Sequence, residues 1–424
     1  MTLVFYVLIV HRYGVGKSSD LVFALSLLPN VLYTVTFGQL NEILVPYFVS
    51  RERPELAATA FWNVAAAVAV IGTVFGGTIF LPMTSLAPVL FHAATENLPP
   101  GVIRNLLLSA VAYNLIVSLL VVKNSYLVSV GCASLMQFVM TAGNAVSVAW
   151  LWQFGQAEYP LQILGAQIVG AGFALLCPVA GTKFSGYLPG LLREHLSEAF
   201  ERVRWLVVSA SVTRTEPLFD SIIAGFLGTG AITIYYLFQR VVGFSHAVVQ
   251  NGYILPFTKE ASELARHNPS ELRRAVSKAA VESSGATLVL LLASAIGFAL
   301  MQLLPLPALQ AYAAVYQQHA VVFFLLFGYG VFTLTTKTYA TGLYVMRNER
   351  LFTIVSVVIF LLGMGAKILT ASRWGLRGLA LGSSLASVSN AGVLALVFLY
   401  ASGKRLAVFS VSQTIPQDLG TVPE

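Results

Sequence analysis

Apolar residues in this chain gather in long runs instead of alternating with polar ones. The runs lie near residues 2–13, 20–49, 57–81, 104–122, 128–154, 160–180, 205–229, 231–256, 279–304, 319–346, 351–371 and 376–401. Most reach the roughly 20 residues that carry an α-helix across a bilayer's hydrocarbon core. A transmembrane barrel would show segments of about 10 residues with apolar and polar positions in alternation, and these runs are too long and too uniform for that. The pattern predicts an all-α integral membrane protein with about twelve transmembrane helices. The first run, TLVFYVLIV, is too short to span unaided. Either His11, Arg12 and Tyr13 extend that helix, or the true start lies upstream of Met1. No basic residues precede this run and no small-residue cleavage site follows it, so no cleavable signal peptide is expected.

Composition agrees with that reading. Of 424 residues, 57% are hydrophobic and 10% charged, where a soluble domain carries about 25% charged residues. A soluble globular protein is excluded. The formal net charge of +7 would suggest nucleic acid in a soluble chain; here it records orientation, because cytoplasmic loops collect Lys and Arg. One set of loops, with the C-terminal tail, holds sixteen Lys and Arg, counting Arg51, Lys123, Lys259, Arg266, Arg347 and Arg405; the opposite set holds five, Arg12, Lys17, Arg104, Arg373 and Arg377. This bias predicts both termini in the cytoplasm, with the lipid bilayer as partner and no nucleic acid. Cys132 and Cys177 show no metal-ligand or redox spacing and read as packed core residues.

The chain also divides. Residues 187–204 set Leu188, Leu191, Leu192, Leu196, Phe200 and Val203 at helical spacing among charged positions, as expected of an interfacial amphipathic helix. An internal repeat flanks it. GVGKSSDLVFAL begins at Gly14 and GTGAITIYYLFQ at Gly228, an offset of 214, and the prolines Pro46 and Pro256 lie 210 apart. The expected organisation is a six-helix lobe over 1–181, a cytoplasmic linker helix over 182–204, a second six-helix lobe over 205–401 and a cytoplasmic tail over 402–424. Repeats of this kind are typical of secondary transporters, with the substrate between the halves.

No enzyme signature stands out. GVGKSS lacks the first glycine of a phosphate-binding loop, since that position is His11, and HExxH, GxSxG and EF-hand patterns are absent. No catalytic residue, metal or cofactor is expected. The informative residues are ionisable groups inside the runs, each of which costs several kcal/mol unless paired or wetted. Glu216 and Asp220 share a helix face at i,i+4, with Arg214 just before them. By helical rise Arg240 falls about 15 Å deep in the next span, at the level between the two carboxylates. These residues form either a water-accessible charged site or a structural ion pair of Arg240 with Asp220 and Glu216. Lys337 either lines a cavity or snorkels inward, Lys367 is expected to snorkel outward, and Gly72, Gly76, Gly165, Gly170 and Gly172 are expected to permit close helix packing.

The run YGVGKSSDLVFALSLLPNVL, continuing to VPYF, resembles the start of bacterial lipid II flippases of the MurJ/MviN type, with Asp20, Pro29, Asn30, Val45 and Pro46 in register. FDSIIAGFLGTGAITIYYLFQRVVGFSHAVVQNGYILPFTKEAS is similar to that family's seventh and eighth helices. The resemblance covers residues 11–56 and 216–280. The family belongs to the multidrug/oligosaccharidyl-lipid/polysaccharide (MOP) exporter superfamily. It implies a bacterial inner-membrane protein with two pseudo-symmetric six-helix lobes around a central cavity, alternating access, and substrate contact by Asp20 and Arg240; Arg214 and Lys337, charged residues within the spans, are further candidate headgroup contacts. Tyr33 and Thr34 replace an arginine of the family pattern. The implied function is flipping of a polyprenyl-pyrophosphate-linked saccharide, lipid II or another cell-envelope glycan precursor, with glycan-synthesis enzymes as partners. The alternatives are a cation-coupled multidrug exporter with Asp220 and Glu216 at the Na⁺ or H⁺ site, and a non-transporting scaffold for glycan synthesis. Coupling could use Na⁺, H⁺ or the membrane potential.

Overall fold

The computed structural model describes residues 2–37, 54–96, 98–156, 159–177, 215–254, 256–258, 268–346 and 348–413, with 44, 48, 260, 261 and 264. Every regular element among them is helical. In chain order these are α1 (Thr2–Tyr13), α2 (Lys17–Phe37), α3 (Pro54–Leu90), α4 (Pro100–Ser129), α5 (Ala133–Phe154) and α6 (Leu161–Leu176), then α7 over residues 215–226. They continue with α8 (Ala231–Val249), α9 (Pro269–Met301), α10 (Pro307–Leu325), α11 (Phe327–Val345) and α12 (Glu349–Gln413). In hydrocarbon each backbone amide must be satisfied within its own segment, and a helix does that for an isolated apolar run.

Six of these helices are long and apolar enough to span, and the α10–α11 pair, bent by 44°, makes a seventh. His11 to Tyr13 do extend α1. The long α12 is two legs divided at Gly375 (φ 59°, ψ −138°), a conformation open to glycine, so the two apolar runs expected at 351–371 and 376–401 meet there with almost no loop. Residues 307–318, read as a connection from sequence, are helical. The linker expected at 182–204, Arg214, and the tail beyond 413 lie outside the described residues.

Contacts group the chain into two compact units, one of Met1–Arg240, Phe298–Ala320 and Trp374–Leu379, the other of Val241–Gly297, Val321–Arg373 and Ala380–Glu424. In this grouping α7 and the first part of α8 fall with the N-terminal helices.

In the first unit α2 is the central helix, with 67% of its apolar window buried. α4 packs on α2, α3 and α6, and α5 packs on α6 and α1. Small residues set how closely these helices approach. A Cβ at Gly143 would lie 2.7 Å from the carbonyl oxygen of Gly170, and one at Gly72 would lie 2.6 Å from Leu115. Gly76 and Gly165 also face neighbouring side chains, whereas Gly172 faces open space. The Tyr33 hydroxyl donates to the carbonyl of Gly72 at 2.7 Å. The residue replacing the family's arginine is thus buried in helix packing.

The second unit has its own core around Val276, Leu343, Leu394 and Phe398. The two legs of α12 pack against each other, and a Cβ at Gly382 would stand 2.8 Å from the Cα of Lys367. That contact corrects the expectation for Lys367: it is fully buried, because the returning leg covers its stem and leaves no route outward. By contrast only 17% of the α9 window is buried, and Val289 and Ile296 are exposed on it. Apolar surface of this extent suits lipid.

Candidate functional site

The starts of α2 and α8 are the two ends of the sequence repeat, and the structure brings them together. Each helix follows a Gly-x-Gly. Gly14 and Gly228 both have positive φ, 69° and 123°, so the chain turns sharply before each helix begins at equivalent positions, Lys17 and Ala231. Gly230, at φ 88°, lies against Val15, 3.2 Å from where a Cβ would stand. Asp20, 2% exposed, accepts hydrogen bonds from the backbone N–H of Gly230, from that of Thr233 at 2.7 Å and from the Thr233 hydroxyl at 2.6 Å. A carboxylate at a helix N-terminus satisfies orphan donors and complements the dipole. Asp20, a candidate substrate contact by resemblance, caps the start of another helix, 210 residues away from Gly230 in sequence.

Two and a half turns further along α8 lies Arg240. Its guanidinium is exposed; it donates to the hydroxyl of Tyr236, one turn earlier on the same face, and lies 4.5 Å from that ring's centroid and 5.6 Å from the ring of Tyr6 on α1. Phe23 on α2 stacks on Tyr236 with centroids 4.5 Å apart and meets Tyr6 at 6.2 Å. Tyr113 on α4 stands close enough to interact electrostatically with Arg240. A cation over ring faces gains from their quadrupoles. With one recorded hydrogen bond among the described residues, the guanidinium has further N–H donors for a ligand.

Of the two readings, a charged site or a structural ion pair, no ion pair of Arg240 with Asp220 or Glu216 is seen among the described residues. Asp220, fully buried, accepts from the Tyr235 hydroxyl at 3.0 Å and the Gln239 amide at 3.2 Å. Helical rise speaks to depth along α8 and not to azimuth: Tyr235 and Gln239 share the face towards Asp220, and Arg240 and Tyr236 share the next. Glu216 is half-buried on α7.

Lys337 belongs to the second unit. It is exposed and donates to Gln250 Oε1 at 2.8 Å. Gln250 opens a π-helical turn, Gln250–Ile254, that continues α8, and π turns occur often at functional sites. Buried His246 is bonded to the Gly330 carbonyl at 2.6 Å. No metal-holding group of His, Cys, Asp or Glu is present among the described residues.

Sequence reasoning missed two things here. Tyr236 was visible as the i−4 neighbour of Arg240 on one helix face, whereas Tyr6, Phe23 and Tyr113 come from three other helices and carried no linear signal. Lys123, counted among the cytoplasmic loops, is 2% exposed inside α4. Its ammonium donates to the carbonyls of Ala174 (2.7 Å), Leu175 (3.2 Å) and Cys177 (2.6 Å). It caps the end of α6, whose last carbonyls lack intrahelical partners and whose dipole favours a cation there.

No protein-family model matches this sequence, and no curated protein matches it either. Solved structures do resemble the fold. An inward-facing multidrug resistance MATE family transporter of the MOP superfamily aligns with a TM-score of 0.67 at 15% identity, over 98% of this chain and 96% of that one. The lipid II flippase MurJ in an inward closed conformation aligns at 0.62 and 16% identity, over 98% and 91%. The MATE multidrug transporter DinF-BH aligns at 0.62 and 15%, over 94% and 90%. The likeness drawn from residues 11–56 and 216–280 therefore extends, as a fold, over nearly the whole chain, which shares its architecture with these transporter structures.

Proposed function

We propose that this protein is a flippase for a polyprenyl-pyrophosphate-linked saccharide, working by alternating access in a bacterial inner membrane with both termini in the cytoplasm. The observation that carries the reading is Arg240: an exposed guanidinium framed by Tyr6, Phe23 and Tyr236. A pyrophosphate needs charge-assisted donors while it crosses hydrocarbon, and arginine supplies them in a fork that matches phosphate oxygens. The tyrosine faces offer an amphipathic surface to a sugar. An exposed cation at the same place repels a cationic drug, which sets this reading above multidrug export. Lys337 is a second candidate headgroup contact, and the excess of loop Lys and Arg on one side supports the orientation.

The export reading keeps one specific observation. Asp220 is fully buried between the hydroxyl of Tyr235 and the amide of Gln239, a setting in which a carboxylate could exchange a proton or hold Na⁺. Coupled flipping uses the same group, so Asp220 does not by itself decide between cargoes. The deciding experiment reconstitutes purified protein into vesicles with a fluorescent polyprenyl-pyrophosphate disaccharide or a cationic dye. Protein-dependent flipping of the first, lost in Arg240→Ala, is expected; dye transport without lipid flipping would establish export instead.

A further inference from the structure

The first unit contains a cavity of about 640 Å³ that none of the residues above accounts for. Val4, Val7, Leu8 and His11 of α1, Ala145, Val148, Ala149 and Trp152 of α5, and the segment Leu306–Leu309 line it. Its volume is within the roughly 300–1,000 Å³ typical of ligand sites. The lining is almost wholly aliphatic and aromatic. Val4, Leu306 and Trp152 are exposed, so the cavity opens at the protein surface.

The rim has a different character. Arg12 follows His11 at the end of α1 and is exposed. Its guanidinium lies 5.5 Å from the Trp152 ring centroid and donates one N–H to the Trp152 carbonyl at 3.1 Å. That hydrogen bond and ring contact fix the plane of the group, and its remaining donors are available to an anion. Arg and Trp at the ends of membrane helices belong at headgroup depth, and an arginine fork matches the oxygens of a phosphate.

We infer that this cavity is a binding site for an anionic glycerophospholipid, with one acyl chain between α1, α5 and Leu306–Leu309 and the phosphate on Arg12. The inference is independent of the cargo proposed for Arg240.

Trp152 supplies the probe. Full-length protein is placed in nanodiscs of phosphatidylcholine containing a small fraction of phosphatidylglycerol, with bromine on the acyl chains of one lipid or the other. The quenching of Trp152 is taken as the difference between wild type and Trp152→Phe. Brominated phosphatidylglycerol should quench severalfold more than brominated phosphatidylcholine. Arg12→Gln should bring the two to the same level, and Ala149→Phe, which fills the cavity, should reduce both. Should Ala149→Phe fail to elute as a monodisperse species, Ala145→Phe fills the same space. Equal quenching by the two lipids in the wild type, or an unchanged preference in Arg12→Gln, would overturn the site. Quenching by a brominated prenyl phosphate in place of phosphatidylglycerol would overturn the assignment to a glycerophospholipid.

Discussion

Asp20 and Arg240 are two membrane-embedded charges that meet the same helix, and they are held in opposite ways. Asp20 is buried at the start of α8 with both carboxylate oxygens accepting from α8's first turn. Arg240, about 15 Å along that helix, is exposed, has one hydrogen-bond partner among the described residues and rests on aromatic faces. A charge whose bonding capacity is filled by backbone acts on the fold, since moving it strands buried donors. A charge with open donors beside apolar rings can act on a ligand. Both residues carried the resemblance to the flippases equally well as letters, and only their surroundings separate the two roles.

The largest expected effect follows from removing Asp20. Asp20→Ala leaves two buried N–H groups unpaired, each costing about 1–3 kcal/mol, at the junction of α2 and α8. Membrane abundance and the temperature of half-aggregation in detergent should both fall sharply. Normal abundance with selective loss of transport would instead place Asp20 in the transport machinery and erase the contrast with Arg240. Arg240 should behave in the reverse sense. Arg240→Ala should insert and elute normally while flipping is abolished, and Arg240→Lys, which keeps charge but loses the fork, should flip at least about tenfold more slowly. A well-folded Arg240→Ala protein with full transport would remove the headgroup role.

Lys123 tests whether the rule extends to cations. Its ammonium fills the role at the end of α6 that Asp20 fills at the start of α8, so it belongs with structure although it is a lysine in a membrane helix. Lys123→Met should cost about 1–3 kcal/mol by leaving buried carbonyls unpaired, seen as a lower aggregation temperature, with transport per folded molecule unchanged. A loss of transport at unchanged stability would move Lys123 out of the structural class.

The difference between these residues also marks what was legible in the sequence. Helical runs were legible because hydrocarbon forces each one to satisfy its own backbone, so the separate runs on either side of Gly375 could be read from letters, while the extension of α1 through Tyr13 was one of two readings left open. The correspondence of the two helix starts was legible through the repeat that begins at Gly14 and Gly228. Azimuth was not. Depth along α8 follows from about 1.5 Å per residue, but whether Asp220 faces Tyr235 and Gln239 or faces Arg240 depends on how α7 is rotated against α8. Burial of Lys123 and Lys367 was equally hidden, because the covering groups, the end of α6 and Gly382, lie elsewhere in the chain. The exposed cation was found; the rings that frame it come from four helices and needed coordinates.

The smallest expected effect concerns Tyr236, and it sharpens the comparison most. Its hydroxyl accepts from Arg240, and its ring stacks on Phe23 and lies beneath the guanidinium. Tyr236→Phe keeps the ring and removes the oxygen. A net hydrogen bond to a charged group contributes about 1.5–3 kcal/mol. Arg240 is exposed, so water can replace most of that, and stability should change little. What should change is aim: a guanidinium no longer tethered samples more orientations, and flipping should slow by a few-fold with the protein's aggregation temperature unaltered. Tyr236→Ala removes the ring as well, leaves the face of Phe23 uncovered and should slow flipping further while lowering stability. If Tyr236→Phe matches wild type in rate, the hydroxyl only shields the arginine and the rings alone set its position. If Tyr236→Phe destabilises the fold as Asp20→Ala is expected to do, Arg240 is held as a structural charge and the distinction between the two regions fails.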